Sequence, residues 1–208
     1  MVGANFLLLY WIIMKWLVGV DEAGRGPLAG PVAVGMVKVP SDFDWSLITG
    51  VGDSKKIKES DREKIFAVAK ELRYRNQLDF SVSQVGSSVI DEKGITFAIN
   101  LAIKRNIKKL GLSPSDSEIK LDGSLKAPIE FTQETIIKGD DKELVIGLAS
   151  IVAKVTRDKY MIKAARQYFQ YDFDAHKGYG TKSHREAIAK YGKSPIHRAS
   201  YCKNIVML

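Results

Sequence analysis

The sequence predicts an α/β domain: a mixed five-stranded sheet, antiparallel in its first part, flanked by helices and followed by a C-terminal helical segment. Three observations predict it. Short apolar or alternating runs bounded by Gly, Pro or Asp read as strands. Two longer stretches carry apolar residues at helical spacing. Their order, a block of strands and then helices alternating with two further strands, is that of a mixed sheet.

Residues 15–20 read as a buried strand ending at Asp21-Glu22, and residues 32–39 as a second, alternating strand between Pro31 and Pro40. A loop covers 41–52. Ser60-Asp61-Arg62-Glu63 has the pattern of a capping box and opens a helix to about Leu72. Residues 77–85 form the third strand. Ile95, Ile99, Ala102, Ile103, Ile107 and Leu110 mark one helix, which Gly111 stops. Strands at 118–121 and 131–137 end near Asp122-Gly123 and Lys138-Gly139-Asp140. Leu144, Leu148, Ile151, Val155, Ile162, Ala165 and Phe169 then trace one face of a long helix. A basic, Gly-rich loop at 176–181 and a short helix from about Ser183 to Tyr191 close the chain.

The 208 residues suffice for one domain with a full core, and residues 14–208 are read as that domain. The net charge of +8 suggests a polyanionic partner, nucleic acid first and a membrane surface second, with simple solubility as the bland alternative. Cys202 is the one cysteine, which excludes an intramolecular disulfide and a cysteine-rich zinc site and fits a reducing, cytoplasmic compartment. The apolar run at 6–14 is too short for a bilayer, which needs about 20 residues. It reads as an extra strand, a weak surface anchor or a translated upstream region with Met14 as the natural start. The last is favoured, the status of 1–13 stays open, and no membrane role is expected.

Gly24-Arg25-Gly26-Pro27-Leu28-Ala29 matches the G-x-G-x-x-A of a dinucleotide site. Against that, a strand and not a helix follows, no βαβ unit of the required length is present, and Asp21-Glu22 would repel a pyrophosphate. The same glycines let backbone amides approach a ligand closely, which beside two carboxylates suggests a metal-bridged phosphate. Asp21, Glu22, Asp122 and Asp140 all stand at predicted strand ends. Singly each has an ordinary reading: Asp122 as a turn residue, Asp140 as a helix cap, Asp21-Glu22 as a surface pair. Together, in a basic protein, they are the oxygen ligands that metal-assisted phosphodiester cleavage needs. The residues by themselves define a candidate metal-dependent hydrolase or nuclease.

The segment Val20-Asp21-Glu22-Ala23-Gly24-Arg25-Gly26-Pro27-Leu28-Ala29-Gly30-Pro31-Val32 resembles the opening motif of the type 2 ribonucleases H. The resemblance continues through Asp53-Ser54-Lys55-Lys56, Leu121-Asp122-Gly123 and Lys138-Gly139-Asp140. It then runs through Ala149-Ser150-Ile151-Val152-Ala153-Lys154-Val155-Thr156-Arg157-Asp158 and His176-Lys177-Gly178-Tyr179-Gly180-Thr181. It implies the ribonuclease H fold, a single catalytic domain and a monomer. It also implies hydrolysis on the 5′ side of a ribonucleotide, in RNA–DNA hybrids and in duplex DNA with embedded ribonucleotides, leaving 3′-hydroxyl and 5′-phosphate ends. The catalytic and metal-ligating carboxylates would be Asp21, Glu22, Asp122 and Asp140, with Mg²⁺ or Mn²⁺ as cofactor. Two ions would act, held by Asp21, Asp122 and one of Glu22 or Asp140, with in-line attack by an activated water and departure of the 3′-oxygen.

By the same resemblance Gly24, Arg25 and Gly26 would read the ribose 2′-hydroxyl, and Tyr179 would lie against the next sugar as a junction sensor. Ser54, Lys55 and Lys56 offer donors to phosphates. Lys154 and Arg157, three apart, share a side of the long helix away from its apolar stripe, where they track the duplex backbone or are simply solvated. His176 and His184 are read as structural or phosphate-contacting and not as metal ligands. Lys193 and Ala199 stand where the family pattern carries Pro and Arg, and Gly147-Leu148 where small residues are usual. The rivals are a type 3 ribonuclease H, which would carry a further N-terminal domain and a lysine at Arg25, and a catalytically silent nucleic-acid-binding protein, which would lack a carboxylate.

Overall fold

The computed structural model describes residues 15–52 and 54–205. The expectations for the apolar run at 6–14 and for Asp53 lie outside them. Strands β1 (Trp16–Ala23), β2 (Val32–Pro40), β3 (Asp79–Val85), β4 (Ser117–Asp122) and β5 (Thr132–Ile136) form one sheet in the order β3-β2-β1-β4-β5. β2 pairs antiparallel with both β1 and β3, whereas β1, β4 and β5 are mutually parallel. The predicted mixed sheet with an antiparallel first part is therefore the observed one.

The helices are α1 (Glu59–Tyr74), α2 (Ser87–Lys93), α3 (Ile95–Leu110), α4 (Gly139–Lys142), α5 (Leu144–Gln167), α6 (Phe173–His176) and α7 (Lys182–Tyr191). Because side chains alternate along a strand, Val18 and Val20 face one layer, with Val34, Met36, Ile119 and Leu121, and pack against Ile99 and Ile103 of α3. The opposite face carries Val37 and Val39 against Ile65, Ala69 and Leu72 of α1 and against α5. Each fully buried aliphatic side chain contributes about 1.5–3 kcal/mol, so these two layers fix the sheet on which the strand ends are mounted. A third cluster packs α6 and α7 against the far half of α5 through Met161, Tyr171, Phe173 and Ile188.

Two glycines bring α5 unusually close to the sheet. A Cβ on Gly19 would collide with the Val145 carbonyl, and one on Gly35 with the Ala149 carbonyl. The helix therefore lies almost on the strands, and residues 145–153 are buried on every side. This corrects the single apolar stripe that the sequence predicted. Leu144, Ile162 and Phe169, assigned to that stripe, are exposed, and Arg157, assigned to the polar side, is fully buried.

The helix at 60–72 begins one residue earlier than expected, with Lys58 as its cap residue and no capping side chain. Arg62, a member of the supposed capping box, instead turns inward and donates to the carbonyls of Ser54 and Ile57. The short α2 was not foreseen. Nor were the four-residue helices α4 and α6; the predicted elements fall within a few residues of their limits.

Candidate active site

β1 and β4 run side by side in parallel with Val20 opposite Leu121, so the next residues, Asp21 and Asp122, stand beside each other at the strand ends. β4 pairs with β5 up to Asp122 and Ile136, and the chain leaving β5 turns through Lys138, in the left-handed region at φ 56°, into α4. The Gly139 N–H, at the first residue of α4, donates to Asp122 Oδ1 at 2.6 Å. Asp140, the next residue, is buried. The four predicted carboxylates are thus carried by the C-terminal ends of three adjacent parallel strands, the place where open α/β sheets bind ligands.

Asp21 is 4% exposed. Burial pushes its carboxyl well above the usual carboxylate range, a hydrogen bond from the Ser150 hydroxyl pulls the other way, and the nearby charges of Glu22 and Asp122 push it up further. Glu22 is raised for the same first reason, burial, with Arg25 opposing; Arg25 Nη1 lies 3.1 Å from Glu22 Oε1.

Among the described residues no three His, Cys, Asp or Glu side chains are grouped closely enough to enclose an ion by themselves. Asp122 Oδ1 accepts from the Gly139 N–H and Glu22 from Arg25. The donor set nonetheless fits a hard divalent cation: it is all oxygen, partly desolvated, and mutually repelling in a way that a cation relieves.

Ser150 is a site residue that the sequence reading missed. It lies in the fully buried part of α5, and its Oγ also meets Ser54 Oγ at 2.7 Å. Its signal was visible: a lone hydroxyl among Ala149, Ile151 and Val152 needs a partner once buried. Ser54 is itself 3% exposed. Its hydroxyl is taken up by Ser150 and not presented to a phosphate as the sequence suggested, whereas Lys55 and Lys56 of the same loop are exposed.

Residues 24–31 fold into a turn beside the carboxylates, with Gly24 at φ 88°. Arg25 and Gly26 are exposed and Gly24 is buried. Two buried arginines hold this turn by its carbonyls. Arg198 donates to Gly24 O at 2.7 Å, Arg25 O at 2.9 Å and Gly30 O at 3.0 Å. Arg157 donates to Pro31 O at 2.9 Å, Ala29 O at 3.2 Å and Lys177 O at 3.0 Å.

Arg157 is therefore not a surface contact for a duplex, as the sequence placed it. The glycine turn covers that side of α5, and a Cβ on Gly24 would collide with its guanidinium. Arg157 is the shared floor of the glycine turn and of the 176–181 loop. Tyr179 projects from that loop, 44% exposed, with its ring centroid 5.8 Å from the Arg157 guanidinium carbon and 5.9 Å from Lys154 Nζ. Lys154 in turn pairs with Asp158 at 2.9 Å. Gly24, Arg25, Gly26 and Tyr179 thus share one neighbourhood. Nothing in the sequence singled out Arg198, whose role depends on a return of the chain 174 residues later.

Asp21 and Asp140 are buried and Glu22 and Asp122 half-buried, and the clefts of ≈630 and ≈670 Å³ on the surface are lined by none of the four carboxylates. Among the described residues no helix is long and apolar enough to cross a membrane.

A mixed sheet of this order, with acidic residues on its parallel strand ends, defines a nuclease of the ribonuclease H class. The chain belongs to the ribonuclease HII family, whose model, described as Ribonuclease HII, matches residues 18–204. It is 45% identical over 191 residues to the ribonuclease HII of Clostridioides difficile (strain 630), covering 92% of this chain and 71% of that one. To the ribonuclease HII of Endomicrobium trichonymphae it is 46% identical over 186 residues, 89% of this chain and 84% of the other. Among solved structures it is similar to the ribonuclease H2 of Pyrococcus horikoshii OT3, with a TM-score of 0.70, 27% identity, and coverage of 91% of this chain and 96% of that one. The protein is accordingly an endoribonuclease, a phosphodiester hydrolase of the ribonuclease H kind.

Proposed function

We propose that this ribonuclease H cuts on the 5′ side of a ribonucleotide, both in RNA–DNA hybrids and in DNA duplexes with embedded ribonucleotides, leaving 3′-hydroxyl and 5′-phosphate ends. The observation that carries this reading is the adjacency of two structures at the ends of the parallel strands. Asp21 and Asp122 stand on neighbouring strand ends, and the glycine turn that follows Glu22 is fastened over Arg157 next to Tyr179.

Asp21, Glu22, Asp122 and Asp140 are the residues to hold Mg²⁺ or Mn²⁺. Two such ions would supply an activated water for in-line attack and neutralise the charge developing on the leaving 3′-oxygen. The protein's own contribution is placement. Ser150 orients the Asp21 carboxylate, and the Gly139 N–H orients Asp122. The turn at Gly24, Arg25 and Gly26 meets the 2′-hydroxyl, the group that separates RNA from DNA. Tyr179 lies against the following sugar, where a deoxyribose fits. Lys55, Lys56 and Lys154 add positive charge toward the phosphates.

Residues 14–208 act in this reading as one catalytic domain. Asp122→Asn tests it: the substitution removes a charge from the ion site and leaves the basic surface intact. Cleavage is expected to fall by at least about a hundredfold, while duplex affinity, measured by fluorescence anisotropy, stays within about twofold because phosphate contacts dominate it. Near-normal turnover would remove Asp122 from the chemistry.

A further inference from the structure

Beneath the Tyr179 loop lie three histidines that the chemistry above does not use. His184 and His197 are 0% and 5% exposed, and all three imidazoles surround the Phe173 ring, with centroids 5.5–6.0 Å away. His176 and His184 stack at 4.3 Å, and Tyr171 closes over His197 at 4.8 Å.

Their hydrogen bonds fix every proton. His184 Nδ1 faces the Tyr179 carbonyl at 2.9 Å; a carbonyl only accepts, so Nδ1 carries the hydrogen and Nε2 of the neutral ring is left to accept. His197 Nε2 lies 3.0 Å from that atom and must be the donor. His197 Nδ1 then accepts, and it receives the Ser194 N–H at 2.9 Å and the Ser194 hydroxyl at 2.8 Å. His176 follows the same logic: Nε2 donates to Tyr171 O at 2.6 Å, and Nδ1 accepts from the Gly178 N–H at 3.1 Å. The chain of bonds is complete with each ring neutral and has one direction, from Ser194 through His197 and His184 to the backbone of Tyr179.

The loop needs such an anchor. Lys177 and Gly178 both have positive φ, at 51° and 85°, and the non-glycine residue of that pair is held in a conformation that L side chains resist. The Tyr179 carbonyl is held by His184, the Gly178 amide by His176, and the Lys177 carbonyl by Arg157.

We infer that the His197–His184 pair is a positioning device for Tyr179, setting how well the enzyme discriminates a lone ribonucleotide from a run of them. The inference rests on the reading of Tyr179 as the residue lying against the sugar after the ribonucleotide. His184 touches no substrate and acts only through the loop. This goes beyond the structural or phosphate-contacting role that the sequence suggested for it, and His197 was not singled out at all.

The test uses two variants of similar size and polarity in the full chain. In His184→Asn the amide nitrogen falls where Nδ1 was and can still donate to Tyr179. In His184→Gln the amide falls where Nε2 was, and that bond is lost. Two readouts are taken: hydrogen exchange of the amides at 178–181, and the ratio of nicking at a single ribonucleotide in duplex DNA to cleavage of an all-RNA strand in a hybrid. The expected result is faster loop exchange and a ratio lowered about tenfold in His184→Gln, since misplacement by about 1 Å can cost up to about a hundredfold, with both largely retained in His184→Asn. His197→Gln, which keeps the donor to His184, should behave like His184→Asn. Unchanged exchange and ratio in both His184 variants, or the reverse order between them, overturns the inference. Faster exchange in His184→Gln with an unmoved ratio upholds the anchor and instead refutes the role assigned to Tyr179.

Discussion

Tyr179 and Arg198 show how differently single residues can serve one site. Tyr179 is exposed and reached from solvent, so removing its ring leaves no buried hole. Tyr179→Ala is expected to reduce nicking at single ribonucleotides by about tenfold more than cleavage of hybrids, with the thermal midpoint nearly unchanged; equal losses on the two substrates would deny it a sensing role. Arg198 is fully buried and bonds three carbonyls of the glycine turn. Lysine cannot reproduce a planar fork, and each buried carbonyl left without a donor costs about 1–3 kcal/mol. Arg198→Lys should therefore lower stability by about 2–4 kcal/mol in urea denaturation and depress turnover as well, because the turn at Gly24 and Arg25 loses its fastening. Retained stability would show that the turn is held by its backbone alone. At this scale the acidic residues were legible, since chemistry requires them and their positions at strand ends follow from local pattern. Ser150 left a signal, a lone hydroxyl in an apolar run, but not its partner; His197 and Arg198 left none, because what they touch is decided by long-range packing.

At the scale of elements, the site depends on how closely α5 lies on β1 and β2. That closeness brings Ser150 to Asp21 and depends on glycine at 19 and 35, where any Cβ would meet backbone carbonyls of the helix. Overpacking of this kind costs about 1–3 kcal/mol, or more when backbone must move. Gly35→Ala should destabilise the fold by at least that amount in urea and reduce activity beyond the loss of folded protein, because α5 carries Ser150 away from Asp21. Stability and specific activity both equal to wild type would contradict the close contact. The strands were readable because a short apolar run between punctuating residues is a local signal, as between Pro31 and Pro40, although β2 is buried on both faces where alternation was expected. The burial of α5 was misread because a periodicity argument assumes that a helix buries one face, whereas this one is covered by the sheet, by α1 and by the glycine turn. The short α2, seven residues long, is too brief for its periodicity to be read.

For the whole molecule, pH couples folding to the buried histidines. Burial lowers His184 and His197 to about 4, from an unfolded value near 6.5. Within that window the unfolded chain binds more protons, so stability rises with pH across it: the contribution is complete above about 6.5 and is lost as pH falls toward 4. The group whose charge opposes protonation of His184 is His176, and those facing His197 are His184, Lys193 and His176. Asp21 and Glu22, raised by burial, act in the opposite sense, since their folded forms take up protons first. The histidine contribution is isolated by comparison with the double variant His184→Asn, His197→Gln. The wild-type thermal midpoint should fall more steeply between pH 6.5 and 4.5 than that of the variant, and parallel profiles would show that the two rings do not titrate with folding.

The net charge of +8, the carboxylates at the strand ends and the fastened glycine turn are the features on which the proposed cleavage beside a 2′-hydroxyl rests. The most direct test is cleavage of a labelled DNA duplex carrying one ribonucleotide, with Mg²⁺ or Mn²⁺ and a chelator control. A single nick on the 5′ side of that ribonucleotide, dependent on the ion, is the predicted result. An intact duplex, under conditions where the RNA of a hybrid is degraded, would contradict it.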